Sequence, residues 1–177
     1  MSNISHNNWN INIYKTLDST NLEIARRINS KNFSESIAVL SYEQTNGRGR
    51  YGNTWFSPPG NFYFSFLLHS KKTISNNVKL VFLLAIVVCE AIIKTTNKNI
   101  LPRIKWPNDI LINKKKIAGI LLENYINNKG TTFIIAGIGI NIDSHPTNTS
   151  YPATNLFLET NKKYDLIALA KILLNEF

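Results

Sequence analysis

Residues 109–142 read DILINKKKIAGILLENYINNKGTTFIIAGIGINI, and their pattern decides the fold class. Asp109–Asn113 and Lys116–Tyr125 are apolar runs joined by a short lysine-rich link, which predicts a β-hairpin. Asn127–Gly130 makes the next turn, and Thr131–Ile142 follows as a further strand. Working outward, Arg103–Trp106 starts another strand and Asn61–His69 (NFYFSFLLH) has the aromatic, apolar content of a buried one. Ser36–Tyr42 places Ile37, Val39 and Ser41 on one face, and Ile11–Leu17 reads as a short strand. Helices are predicted from Thr20 to about Ile28, where Thr20-Asn21-Leu22-Glu23 has capping-box spacing, and over Asn77–Thr95 and Leu166–Leu173, the last capped by Asp165. Asn77–Thr95 is apolar nearly all round, so it is expected to lie deep against a sheet. Consecutive hairpins with helices gathered in a few places predict an α+β fold, a mixed, largely antiparallel sheet with helices on one face.

Composition narrows the classes. At 177 residues, 44% hydrophobic and 18% charged, the chain fits one soluble globular domain. Cys89 is the sole cysteine, which excludes an intrachain disulfide and a cysteine-based zinc cluster and fits a reducing, cytoplasmic setting. The N-terminal MSNISHNNWNINIY lacks the basic segment and apolar core of a secretory signal. The longest apolar run, Leu80–Cys89, is ten residues, too short to span a bilayer, so no membrane partner is expected. The net charge of +9 is spread over scattered lysines rather than along a helix stripe, so no DNA partner is expected either. His6, His69 and His145 do not cluster at metal-ligand spacing.

Residues 44–60, QTNGRGRYGNTWFSPPG, carry the chemistry. Gly47, Gly49 and Gly52 allow unusual backbone and close approach to a ligand. Arg48 and Arg50 offer forked donors for phosphate or carboxylate oxygens, and Tyr51 and Trp55 offer ring faces for a flat partner. Such a loop suits an anionic, partly aromatic small molecule. Ser19-Thr20-Asn21 sits at a helix start, where free N–H groups and hydroxyls can orient a polar ring. Asn108 and Asp109, in KWPND, are oxygen donors of the class Mg2+ takes. Lys116, opening a strand beside Gly119, can reach an anionic group. Gly137-Ile138-Gly139-Ile140-Asn141 lacks the third glycine and following helix of a dinucleotide fingerprint. Its glycines instead predict close approach of a ligand or another backbone, with Asn141 placed to read a purine edge. No Ser-His-Asp or Cys-His arrangement is legible. A site without nucleophile or general base points to chemistry driven by positioning and charge stabilisation, such as adenylyl transfer.

Ser19–Asn21, Glu43–Arg50, Trp55–Pro58, Lys105–Asp109, Lys116–Gly119 and Gly137–Asn141 occur in an order that closely resembles the catalytic domain of biotin–protein ligases, the biotin–[acetyl-CoA-carboxylase] ligases. The resemblance runs from about Ile11 to the C-terminus. It implies a class II synthetase-like fold and a two-step reaction: biotin and ATP, with Mg2+, give biotinyl-5′-AMP, and biotin then passes to a lysine of the biotin carboxyl carrier domain of acetyl-CoA carboxylase. By position it implies that Ser19, Thr20, Asn21 and Gln44 hold the biotin ring and tail. Gly47 belongs with them in the substrate-binding set, Arg48, Gly49 and Arg50 form a ligand-ordered loop, and Arg48 meets carboxylate and phosphate. Lys116, with Gly119 beside it, stabilises the reacting groups. Trp55 and Asn141 seat the adenine, and Asn108 and Asp109 lie on the Mg2+ side.

The resemblance also implies a single catalytic domain over residues 1–177, without the N-terminal helix-turn-helix domain or the C-terminal β-barrel domain of some relatives. A homodimer through sheet edges is compatible with it. Asn46 stands where the family commonly has Ala. Two alternatives share the fold or the site: a lipoate or octanoate ligase or transferase, and a non-catalytic biotin-binding remnant.

Overall fold

Two-sided alternation along the strands builds one eight-stranded sheet in the computed structural model, which describes residues 1–30, 36–69 and 77–177. The strands are β1 (Ser2–His6), β2 (Trp9–Tyr14), β3 (Ile37–Ser41), β4 (Phe62–His69), β5 (Arg103–Lys105), β6 (Asp109–Ile112), β7 (Lys115–Ile126) and β8 (Thr132–Ile140). The helices are α1 (Thr20–Ile28), α2 (Asn77–Thr95), α3 (Leu156–Thr160) and α4 (Leu166–Glu176). The sheet order is β1-β2-β3-β4-β8-β7-β6-β5. Among the described residues β2 and β3 pair in parallel and every other neighbour pair is antiparallel, the mixed sheet expected from the hairpins.

The β6–β7 hairpin turns through Asn113 (φ 50°) and Lys114 (φ 63°). Two consecutive left-handed residues match the right-handed twist of the flanking strands. β7 then pairs with β8 from Ala118–Ile140 to Ile126–Thr132, which sets Gly119 opposite Gly139 and Leu121 opposite Gly137.

Helices cover both faces, not one. Ile24 and Ile28 of α1 pack with Ile37, Val39, Leu67, Phe133 and Ile135. The alternate residues Ala38, Leu40, Phe64 and Phe66 join the larger core that includes α2 and α4. All five β3 residues are buried, and a strand apolar on both faces must be covered on both. Nor is α2 buried all round. Leu84, Val87, Val88, Ala91 and Ile92 are buried, whereas Phe82, Leu83 and Ile86 are 44%, 47% and 41% exposed. Among the described residues no helix is long and apolar enough to cross a membrane.

Cys89 sits within the α2 core. Burial, with the charge of Glu90, pushes its thiol up to about 11. Since the thiolate is the reactive form, iodoacetamide at pH 8 is expected to label Cys89 only after denaturation. Rapid labelling of the folded chain would contradict this packing.

Two elements escaped the sequence reading. β1 is a mostly exposed edge strand of polar residues, and α3 is a single turn-and-a-half capped by Asn155, whose side chain accepts from the Leu158 N–H. The capping box at α1 does not form. Ser19 is the N-cap residue, and Glu23 turns to Tyr14, Arg26 and Arg27 instead.

Candidate active site

The floor of the site is the α1-facing side of β7 and β8. A Cβ at Gly119 would lie 2.9 Å from Trp55 Cζ3. One at Gly139 would collide with the Trp55 indole nitrogen, and one at Gly137 with the Asn21 amide oxygen. The glycines therefore let two side chains lie flat on the sheet. The close approach anticipated for a ligand or another backbone is here made by Trp55 and Asn21.

A polar wall rises at the start of α1. The Thr20 N–H donates to Gln44 Oε1 at 2.9 Å, so Gln44 satisfies a free helix-end donor that the absent capping box leaves. Gln44 Nε2 donates to Ser57 Oγ at 3.0 Å, and Ser57 Oγ donates to the Trp55 carbonyl at 2.8 Å. Ser65 Oγ lies 2.6 Å from Thr20 Oγ1 and 2.5 Å from Asn21 Oδ1. Asn21 Nδ2 donates to Glu123 Oε2 at 2.7 Å. One hydrogen-bonded chain thus joins Glu123 to the base of the glycine-arginine loop.

That loop is closed at its base by the Trp55 N–H donating to the Gly47 carbonyl at 2.9 Å, and inside by Gly49 N–H to Asn53 O at 2.7 Å. Gly47 is needed for space, since a Cβ there would meet Ser57 Oγ and the Trp55 carbonyl. Of the three loop glycines, Gly52 alone has a left-handed backbone, at φ 77°, next to Tyr51 at φ 56°.

The cations of the cleft have internal partners. Arg48 Nη2 pairs with Glu123 Oε1 at 2.8 Å. Arg50 donates to Asn108 Oδ1 at 3.0 Å and to the Tyr51 hydroxyl at 2.9 Å, with its guanidinium 4.8 Å from the Tyr51 ring centre. Lys116 Nζ pairs with Asp109 Oδ1 at 2.7 Å and stands 5.2 Å from the Trp55 ring centre. The backbone of Lys116 also fastens the polar segment 143–154, donating to Pro152 O at 2.7 Å and accepting from Thr154 N at 2.9 Å. Trp55 Nε1 is buried with no hydrogen-bond partner among the described residues.

These groups enclose a cleft of about 270 Å³, close to the lower size of small-molecule sites. Ser19, Asn21 and Gln44 line one end, and Arg48, Gly49, Arg50 and Trp55 line the loop side. Asn108, Asp109, Lys116 and Gly119 line the remaining wall. Three residues expected at the site do not line it: Thr20, Gly47 and Asn141. Thr20 and Gly47 sit directly behind lining residues. Asn141 is buried and donates through Nδ2 to Thr154 O at 3.0 Å, anchoring the polar segment rather than facing the cleft.

Sequence reasoning missed Ser57, Ser65 and Glu123, which hold the lining residues in place, and Asn53 and Thr54, which line the loop side. Glu123 had a signal: it stands in the Gly119, Leu121, Glu123 alternation, a charge in an otherwise apolar run. Among the described residues no group of three or more His, Cys, Asp or Glu could hold a metal ion, and the His69 side chain lies outside the described residues. Asn108 and Asp109 offer one amide oxygen, shared with Arg50, and one carboxylate, shared with Lys116, a thin set that fits only an ion bringing phosphate and water ligands with it, as Mg2+ does.

Comparison with known proteins shows the family. The model of the biotin/lipoate A/B protein ligase family matches residues 13–141. A bifunctional ligase/repressor BirA of Bacillus spizizenii is 34% identical over 158 residues, 86% of this chain and 48% of that protein. A biotin–[acetyl-CoA-carboxylase] ligase of Paracoccus denitrificans is 36% identical over 129 residues, 73% of this chain and 53% of that protein. The chain thus spans about half the length of these curated relatives. Among solved structures, a biotin protein ligase from Aquifex aeolicus in complex with biotin and ATP matches with a TM-score of 0.77 at 36% identity, covering 94% of this chain and 68% of that one. A biotin protein ligase from Leishmania major in complex with biotinyl-5-AMP matches with a TM-score of 0.79 at 27% identity, covering 94% of this chain and 72% of that one. On the family match and the shared fold, the chain belongs to the biotin/lipoate A/B protein ligase family.

Proposed function

We propose that residues 1–177 form the catalytic domain of a biotin–protein ligase, which converts biotin and ATP to biotinyl-5′-AMP and pyrophosphate and then passes biotin to a lysine of a biotin carboxyl carrier domain. The observation that carries this reading is the convergence of Arg48, Arg50 and Lys116 on one glycine-floored cleft with a polar wall at its end. The relatives and solved structures named for biotin, ATP and biotinyl-5-AMP support it.

In the first step a biotin carboxylate oxygen attacks the α-phosphorus and the bond to pyrophosphate breaks. Two anions meet, so catalysis depends on cations that cancel their repulsion and the charge of the transition state. In this reading Arg48, from the loop, and Lys116, from β7, supply that charge. Ser19, Asn21 and Gln44 orient the acid by its polar end, and Trp55 covers the apolar part of the floor. Mg2+, held on the protein side by Asn108 and Asp109, would neutralise phosphate charge. In the second step the lysine amine attacks the acyl carbon, the bond to AMP breaks, and the amine gives its surplus proton to solvent. The mixed anhydride hydrolyses in water, so the 47–55 loop must cover it until the amine arrives. We place this reaction in the cytoplasm, with the carrier domain as its macromolecular partner and neither DNA nor membrane involved.

Incubation with Mg-ATP and biotin is expected to release pyrophosphate, and added carrier domain is expected to become streptavidin-reactive. Release dependent on lipoate and not on biotin would overturn the substrate. Arg50→Gly removes the link from the loop to Asn108. It is expected to let the adenylate escape, so that bulk amines such as free lysine are labelled several-fold faster. Unchanged leakage would remove the covering role from this arginine.

A further inference from the structure

We infer that Glu123 is a specificity-determining positioning residue: it holds Arg48 and so sets how strongly the cleft prefers a carboxylate over an uncharged ligand. This rests on the biotin–ligase reading for the identity of the acid. Glu123 lies on the cleft side of β7, in register with Gly119 and Leu121 of the floor. Its two oxygens are both engaged, Oε1 with Arg48 Nη2 at 2.8 Å and Oε2 with Asn21 Nδ2 at 2.7 Å. Asn21 is itself fixed by Ser65 Oγ at 2.5 Å from its Oδ1. The carboxylate is therefore an anchored anion, not a wandering surface charge.

An incoming carboxylate needs the Arg48 guanidinium and has to displace Glu123 from it or share it. The same ligand with its carboxylate replaced by a carboxamide brings no charge and competes far less. The fixed negative charge of Glu123 adds repulsion in the same direction. Glu123 thus opposes anion binding selectively, and it parks Arg48, with the loop that carries it, against β7 in the meantime. The pair is partly solvated, with side chains 42% and 25% exposed, so the effect is moderate. Exposed pairs of this kind correspond to about 2- to 5-fold in an equilibrium.

The test uses the full chain and Glu123→Gln, whose side-chain oxygen still accepts from Asn21 and so preserves the packing. Calorimetric Kd values are measured for biotin and for biotin carboxamide. In Glu123→Gln the ratio of carboxamide to biotin Kd is expected to rise about 2- to 5-fold. An unchanged ratio, including equal weakening of both ligands as a purely structural role would give, overturns the inference. Trypsin provides a second readout that does not depend on the acid. In the ligand-free protein, cleavage after Arg48 and Arg50 is expected to be about 2- to 5-fold faster in Glu123→Gln. Equal cleavage rates overturn the inference as well. A wild-type chain that binds neither ligand defeats the biotin–ligase reading instead, and the tryptic comparison still decides the role of Glu123.

Discussion

Lys116→Ala is expected to slow pyrophosphate release with biotin and Mg-ATP by about 100- to 1,000-fold. The size follows from where the charge sits. Lys116 Nζ pairs with Asp109 at the cleft wall, so its removal takes a cation from beside two anionic substrates. The ground-state cost is small because the pair is partly solvated, with side chains 29% and 19% exposed. The fold has little reason to suffer. The bonds that fasten residues 152–154 to β7 use the Lys116 backbone, not its side chain. Single-turnover rates and thermal melting separate the two effects: activity collapses and the melting temperature stays near that of the wild type. A drop of less than about tenfold would mean that another group carries the charge.

Gly139→Ala is expected to separate stability from function in the same way, from the floor. The residue lies in β8, between Tyr63 of β4 and Gly119 of β7. An alanine in a strand interior is intrinsically better than glycine by roughly 0.5–1 kcal/mol. The new methyl would, however, occupy the place of the Trp55 indole, whose ring has to lift. Trp55 is half-buried, so lifting is possible without unfolding the sheet. Expected are a melting temperature within about 3 °C of the wild type and a fall in kcat/KM for biotin of about 100-fold, the scale for displacing a positioning group by an ångström. Unaltered kcat/KM would show that Trp55 does not need the glycine floor.

The sequence showed most where local rules act alone. The β6–β7 hairpin was legible because its short link leaves room only for a tight turn, and Asn113 and Lys114 take the left-handed turn that such a link requires. α1 and α2 were legible from their apolar pattern, and the glycine-arginine loop from composition. What stayed hidden depends on which surfaces meet. The two-sided burial of β3 placed α1 opposite α2 and α4, although Ile37 to Ser41 offers no polar alternation to exclude it. β1 carries little apolar signal, because as an edge strand it buries little. In the site, Thr20, Gly47 and Asn141 lie behind the cleft wall, while the other expected residues line it. The role of Asn141 is not legible in the sequence because its partner, the Thr154 carbonyl, is brought near only by the path of segment 143–154. Glu123 is hidden for the converse reason: its partners Arg48 and Asn21 are remote in sequence.

The most direct test is a crystal structure of the chain with a non-hydrolysable analogue of biotinyl-5′-AMP. Expected are Arg48 and Lys116 within hydrogen-bonding distance of the phosphate, with residues 47–52 folded over the bound analogue. An analogue seated away from Gly119, Gly137 and Gly139, or a 47–52 segment turned away from it, would contradict the assignment of this cleft as the place where the acid is activated and shielded.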